Sequence, residues 1–495
     1  MKKLLVLLAL TLLAGAVPFA GAFTDDAGIE QKYRTAVDEM AEKKVISGFT
    51  DGSFKPLGTL TRAQAAKILC VLLEGSEKAE ALTKLDTGFA DVPASHWAAK
   101  YVAYCVDKGV VAGVGEGKFN PDGTLSSAAF AKMLLVAYGA DGSKFTGADW
   151  LGNVQDAVKP TFLAFNLKEF GAAPLPRQEA AQMAFNAQFA QEAEAAKTQK
   201  EPSRALPTSV PEKISVLALG GSFSNDCILG FLCPMLKDVG VKEFTVGNLY
   251  YGSGTMEKYI YCGLCKELQC QYYKQTEKDG KWNSPKKKSN TLDDPLKDMQ
   301  WDFITFQQGS SLAGFPESYS PWMDPFVYYV QRMQPKATFG WNMIWAYDSD
   351  SAKPGLKKFN GDQAKMYSAI TKTAQETVMT DPRFQFLIPV GTAIQNARTS
   401  FLGDHMNRDG QHLNKGIGRY IASMIWCCKM TGADPDKITY LPESLVKDVK
   451  DVAIPGQDMS NPGLLEALGK VARESVKNAL AKPFEVTPSR YTTLP

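Results

Sequence analysis

The stretch "VLALGGSFSND", Val216–Asp226, runs from an apolar segment into two glycines, a serine and then polar residues able to open a helix. An apolar strand that ends in such a turn presents its next side chains just beyond the carboxyl end of a sheet, where α/β folds hold their reactive groups. Ser222 is then either a nucleophile or a helix cap, because serine is a preferred N-cap residue. Ser224 could cap equally well, so a cap does not require Ser222.

Around this turn, short apolar runs alternate with helical stretches. Candidate strands are "ISVLAL" at Ile214, "EFTVGNL" at Glu243, "WDFITF" at Trp301, "ATFGWNMIW" at Ala337 and "FQFLIPV" at Phe384. Candidate helices are "DCILGFLCPMLKDVG", "WMDPFVYYVQRMQ", "GDQAKMYSAITKTAQETV" and "NKGIGRYIASMIWCCKMTG", with "YYKQTEKDGKW" reading as a hairpin-like insert. Such alternation predicts a three-layer α/β domain, a parallel sheet with helices on both faces.

A nucleophilic serine needs a base to take its proton, an acid to orient that base and donors aimed at the developing oxyanion. The chain has three histidines. His96 lies far upstream, which leaves His405 and His412 in "GDHMNRDGQHLN". In "DGQH" a turn through Gly410 can bring the Asp409 carboxylate to Nδ1 of His412, fixing the tautomer and leaving Nε2 free for Ser222. Trp341, Trp345 and Tyr347 of "WNMIWAY" fall near a strand end, as core, pocket lining or a sugar-stacking face, while Asp348 and Asp350 read as surface residues.

"GGS" after the first strand, "NLYYGSG", "ITFQQGS" and the terminal "DGQHLN" together resemble the SGNH (GDSL-like) hydrolase superfamily. More narrowly, they resemble a bacterial branch of it that reads GNSFS, NLY.GG, WD.VT.QQ.S and DG.HL. The resemblance covers about residues 213–430 and implies a flavodoxin-like fold with Ser222 as nucleophile, His412 as base and Asp409 as its orienting acid. It also implies an oxyanion hole built from the N–H groups of Ser222 and Gly252. Two positions depart from the pattern: Gly221 replaces the usual Asp or Asn before the serine, and Gln307-Gln308-Gly309 replaces a Gly-x-Asn-Asp block. The Gln308 amide is the expected substitute for the missing asparagine donor.

The first 200 or so residues repeat themselves, a pattern that marks a modular array. "ISGFTDGSFKPLGTLTRAQAAKIL" from Ile46 recurs as "VAGVGEGKFNPDGTLSSAAFAKML" from Val111, each a glycine loop followed by a helix opened by Thr or Ser. A third copy is worn, retaining "LPRQEAAQM" from Leu175 without the glycine loop. These units resemble surface-layer homology (SLH) domains, a helical family whose members bind secondary cell-wall polysaccharide. By that resemblance Arg62, Trp97 and Arg177 contact the glycan, an arginine suiting a sugar-borne carboxylate through paired hydrogen bonds. Ser127 stands where the second repeat's arginine belongs.

Length and composition bound the rest. The 495 residues suggest roughly three domains. Lys plus Arg at 55 nearly cancels Asp plus Glu at 53, so no global field favours nucleic acid or anionic lipid. "LLVLLALTLLAGAV" followed by "AGA" at Ala22 reads as a secretory leader, and no later window is long and apolar enough for a transmembrane anchor. Of nine cysteines, Cys262, Cys265 and Cys270 resemble part of a zinc cluster, but four ligands are normally required; a local disulfide or buried thiols fit better, and no metal or other cofactor is expected.

The expected organisation is a leader over 1–22, SLH repeats over 23–84, 85–142 and 143–195, a linker over 196–212, an SGNH-like domain over 213–435 and a helical extension over 436–495. The expected function is that of a secreted, wall-associated serine esterase or acyl hydrolase acting on ester-bearing carbohydrate. A quiet glycan-binding module and a structural surface-layer protein are the alternatives.

Overall fold

The computed structural model describes residues 23–198, 205–446 and 461–494. The leader expected over 1–22 and part of the expected linker lie outside the described residues. The chain divides into two compact units, residues 1–188 and 189–495.

In the first unit, the helices Arg34–Glu42 and Arg62–Glu74 form one repeat, and Ala99–Asp107 and Ser127–Ala137 form the next. Helix Arg62–Glu74 opens on a capping box, in which Thr61 and Gln64 satisfy each other's backbone N–H groups. The segment expected as a worn third copy keeps a pair of helices. Its helix Trp150–Val158 is followed by the start of a second helix at Arg177, and its Leu175 closes a ring with the equivalent leucines of the other copies. Leu60 N–H donates to Leu175 O at 2.9 Å, Leu175 N–H to Leu125 O at 2.8 Å and Leu125 N–H to Leu60 O at 2.9 Å. All three leucines are buried, so the ring pairs backbone groups that no solvent could satisfy.

The second unit holds a six-stranded sheet of order β3-β2-β1-β4-β5-β6. The strands are β1 Lys213–Leu219, β2 Glu243–Tyr250, β3 Gln271–Thr276, β4 Phe303–Phe306, β5 Thr338–Asn342 and β6 Phe384–Ile388. Every pairing is parallel except that of β3 with β2. Without β3, the order is that of a flavodoxin-like sheet, in which the winding reverses between the first strand and the third parallel one. That reversal lies between β1 and β4, where Leu219 pairs with Phe306. Strands β4 and β5 are buried at every position and β1 at all but Lys213, which explains their unbroken apolar runs: both faces are covered.

One local expectation is corrected, and two are filled in. The insert from Tyr272 supplies the half-buried antiparallel edge strand β3, and the chain then turns back along it, with Asn283 N–H donating to Lys274 O at 3.1 Å and Cys270 bridged to Asn290. The helix expected from Asp226 to Gly240 is two, Ser222–Ile228 and Leu232–Asp238, because Pro234 lacks the N–H needed to continue an earlier helix through it. The helix Leu464–Ala481 of the expected extension packs on Val390–Arg398 and Ile417–Thr431, within the α/β unit.

Candidate active site

Strand β1 ends in Gly220-Gly221, and Ser222 is the first residue of the next helix. Gly220 leaves no room for a side chain, and Gly221 is closely packed. A Cβ on Gly220 would lie 2.1 Å from Ser224 Oγ, and one on Gly221 would lie 3.1 Å from the carbonyl oxygen of Tyr251. Gly221 holds the N-cap position and no side chain caps this helix, so neither serine serves as a cap. Ser224 instead donates to Gln307 Oε1 at 2.6 Å. As a first-turn residue, Ser222 has an N–H with no acceptor inside the helix.

The expected base, His412, comes from far along the chain. Ser222 Oγ lies 2.8 Å from His412 Nε2, and His412 Nδ1 lies 2.7 Å from Asp409 Oδ2. The second carboxylate oxygen of Asp409 accepts the backbone N–H groups of His412 at 2.8 Å and Gln411 at 3.2 Å. Burial pushes the Asp409 carboxyl up, but the His412 ring and these two N–H groups outweigh it and hold the pKa at about 2. The turn depends on Gly410, at φ 80°, where a Cβ would meet Ser351 Oγ at 2.7 Å. Trp345 Nε1 donates to Gln411 O at 2.8 Å and Asp348 N–H to Gly410 O at 3.0 Å, fixing the loop from outside. Phe223, next to the serine, stacks on Trp345 at 4.2 Å and lies 5.8 Å from the His412 ring.

Asp226, which the sequence did not mark, locks these pieces together. It sits one turn after Ser222, is 1% exposed, and accepts from Arg408 Nη1 at 3.1 Å and from Arg419 at 2.9 and 2.6 Å. Arg408 belongs to the histidine loop and Arg419 to the helix Ile417–Thr431. An acid four residues after a candidate nucleophile is the only local signal for this role.

The other expected residues divide. Gly252 lies in the turn Tyr251–Gly254 that abuts Gly221, with its own Cβ position 3.5 Å from Tyr250 Oη. Gln308 does not fit the expected role of oxyanion donor. Its Nε2 donates to Ser318 O at 2.9 Å and Oγ at 3.3 Å, while its Oε1 accepts from Gly309 N–H at 2.8 Å and Met256 N–H at 3.3 Å. Trp341, Trp345 and Tyr347 are all buried, as lining and support with no face for a sugar. Asp348, expected at the surface, is buried and paired with Arg398 at 3.0 Å.

In the repeats, Arg62 and Arg177 are occupied by protein acceptors. Arg62 donates to Phe119 O and Ala112 O, both at 2.7 Å, and lies over the Phe119 ring. Arg177, 4% exposed, donates to Phe54 O, Gln64 Oε1 and Ser47 O at 2.8, 3.1 and 2.8 Å, between the rings of Phe49 and Phe54. Each clamps the glycine loop of another copy, while Ser127 exchanges hydrogen bonds with the backbone N–H and O of Gly171, which lies outside any such loop. Trp97 is 54% exposed.

Comparison with known proteins agrees with this division. Residues 22–66 and 88–131 match the S-layer homology domain, and residues 215–456 match DUF4886, a domain of unknown function. Over 177 residues the chain is 32% identical to a cell surface protein of Thermoanaerobacter kivui, covering 34% of this chain and 22% of that one. Over 128 residues it is 33% identical to the surface-layer 125 kDa protein of Lysinibacillus sphaericus, covering 26% of this chain and 10% of the relative. The chain thus spans less than a quarter of either relative. A solved DUF4886 family protein from Bacteroides uniformis is 32% identical, covering 56% of this chain and 97% of that one, with a TM-score of 0.49. A candidate SGNH hydrolase from Slackia heliotrinireducens aligns at 14% identity and a TM-score of 0.29, covering 44% of this chain and 99% of that one. No described helix is long and apolar enough to cross a membrane.

Proposed function

For a cell-surface, wall-associated chain that carries two S-layer homology domains and a DUF4886 domain, we propose that the C-terminal domain is a serine esterase. The observation that carries the reading is the unbroken chain Ser222 Oγ, His412 Nε2, His412 Nδ1, Asp409 Oδ2, with links of 2.8 and 2.7 Å at a strand end beside the switch point of the sheet. His412 takes the Ser222 proton as Oγ attacks an ester carbonyl, and the ionised Asp409 stabilises the imidazolium. The N–H groups of Ser222 and Gly252 face the developing oxyanion. Collapse of the tetrahedral intermediate returns the proton to the departing alcohol and leaves an acyl-serine. Water, deprotonated by His412, then releases the acid.

The substrate proposed is an O-acylated carbohydrate of the wall, supported by the SLH repeats that hold such a domain against wall polysaccharide. Glycan contact in the repeats rests on the exposed Trp97, since Arg62 and Arg177 already have protein partners. A fluorophosphonate probe, read by intact mass beside Ser222→Ala and His412→Ala, tests the nucleophile. Stoichiometric labelling that both variants lose supports it; a folded parent that neither labels nor hydrolyses p-nitrophenyl acetate faster than the variants would overturn it.

A further inference from the structure

Cys262 lies in the last turn of helix Met256–Leu264, and Cys270 ends the short segment that joins this helix to strand β3. Their sulfurs lie 3.3 Å apart, and both residues are fully buried. Each is held in place by its own backbone surroundings. Cys262 Sγ also donates to Glu267 O at 3.2 Å, while Cys270 pairs with Asn290 through N–H to O contacts of 2.9 and 3.1 Å. Cysteines of a cell-surface protein meet an oxidising milieu, where such a pair persists as a disulfide.

We propose that Cys262 and Cys270 form a disulfide in the mature protein, stapling the helix Met256–Leu264 to the antiparallel edge of the sheet. Forming the bond shortens the sulfur separation from 3.3 Å to about 2.05 Å. The chemistry balances with an external disulfide, small-molecule or enzymatic, as oxidant. One cysteine thiolate attacks that disulfide and displaces a thiolate; the other attacks the resulting mixed disulfide and displaces the second. Two protein thiols are oxidised, one external disulfide is reduced to two thiols, and the two protein protons end on the departing sulfurs. With both sulfurs buried in the folded chain, the bond forms as the segment folds and is shielded afterwards. Among the described residues no group of three or more His, Cys, Asp or Glu side chains converges as a metal site, so a metal does not compete for this pair.

The staple bears on the candidate active site. The helix it anchors is capped by Thr255, directly after the Tyr251–Gly254 turn that lies against Gly221, and its Met256 N–H donates to Gln308 Oε1.

Trypsin provides the test, because Lys258, Lys266 and Lys274 place the two cysteines on separate peptides, "YIYCGLCK" and "ELQCQYYK". The full chain, folded in a glutathione redox buffer and alkylated under denaturing conditions without reductant, is expected to yield these two joined, with one alkyl group on Cys265, lighter by two hydrogens than the sum of the singly alkylated first peptide and the unmodified second, and separated by reductant. Cys265 shares the first peptide, so the joined pair must survive in Cys265→Ser and vanish in Cys262→Ser. A lower melting temperature in reductant is expected for the parent and Cys265→Ser, with no such drop in Cys262→Ser. Both peptides recovered separately and alkylated from unreduced parent, or a link through Cys265, would overturn the proposal; neither result depends on catalysis.

Discussion

Arg408 and Asp226 are 182 residues apart in the chain, yet Arg408 Nη1 lies 3.1 Å from both oxygens of the buried Asp226 carboxylate. This pairing, with Arg419 on the same carboxylate, holds the histidine loop against the serine helix. Positioning within a fraction of an ångström governs how well a base removes a proton. Asp226→Ala should therefore lower stability by about 3 kcal/mol, the usual cost of leaving a buried ion pair half-empty, and lower kcat at nearly unchanged KM. Denaturant titration and p-nitrophenyl acetate turnover measure the two. Wild-type turnover in Asp226→Ala would show that the ion pair does not position the base.

Gly410 carries the second prediction. Its φ of 80° and the 2.7 Å approach of Ser351 Oγ leave no room for a methyl group. Gly410→Ala costs roughly 1–2 kcal/mol in backbone strain, which the turn relieves by moving Asp409 away from His412. A fall of at least about tenfold in phosphonylation rate is expected, with the circular dichroism spectrum retained. Unchanged labelling would mean the turn tolerates a different path.

The acid limb follows from Asp409. With a folded pKa of about 2 against roughly 4 when unfolded, its stabilising contribution is fully present above about pH 4 and is lost as pH falls toward 2. Asp348 has the opposite sign. Burial raises it to about 7 despite the Arg398 ion pair, so it contributes stability at low pH that declines between about pH 4 and 7. In Asp348→Asn that decline should flatten, as chemical denaturation at pH 4, 5.5 and 7.5 would show; an unaltered slope would assign it to other groups.

What the sequence revealed and concealed follows from how far each signal reaches along the chain. The strand, glycine pair and serine at Val216–Ser222, and the Asp-x-x-His spacing of Asp409 and His412, are local patterns and could be read directly. The partners of Asp226 could not, because arginines 182 and 193 residues away carry no mark of a buried acid. Strand β3 was hidden because an edge strand keeps polar residues such as Lys274 and Gln275 on a half-buried surface. The end of β5 was misjudged for a tertiary reason: beyond Asn342 the chain leaves the sheet, and Trp345 stacks on Phe223 and holds Gln411. Arg177 read as a glycan contact, yet the fold buries it against loops more than 100 residues earlier.

That burial separates folding from glycan contact in the repeats. Arg177→Ala removes three hydrogen bonds and two ring contacts from a buried site, and Lys cannot restore the planar fork. Both variants should lower the melting temperature and lose binding to purified cell walls together. Trp97→Ala, at an exposed ring, should weaken wall binding at an unchanged melting temperature. Undiminished wall binding by Trp97→Ala would remove that residue from the glycan surface.

Gln308 decides between a brace and a catalytic donor. An oxyanion donor that is removed costs about 100- to 1000-fold in kcat and leaves stability intact. Gln308 instead joins four backbone or hydroxyl groups around the turn Gly309, the residue Ser318 and the start of helix Met256–Leu264, and it is 1% exposed. Its loss leaves those groups unpaired in a buried site, at about 1–3 kcal/mol each for the groups that water cannot reach. Gln308→Ala should therefore lower stability and turnover together, with the missing activity partly recovered at lower temperature as the loop re-forms. A kcat loss of 100-fold or more at an unchanged unfolding midpoint would place the amide on the oxyanion and require that it rotate away from Ser318 when substrate binds.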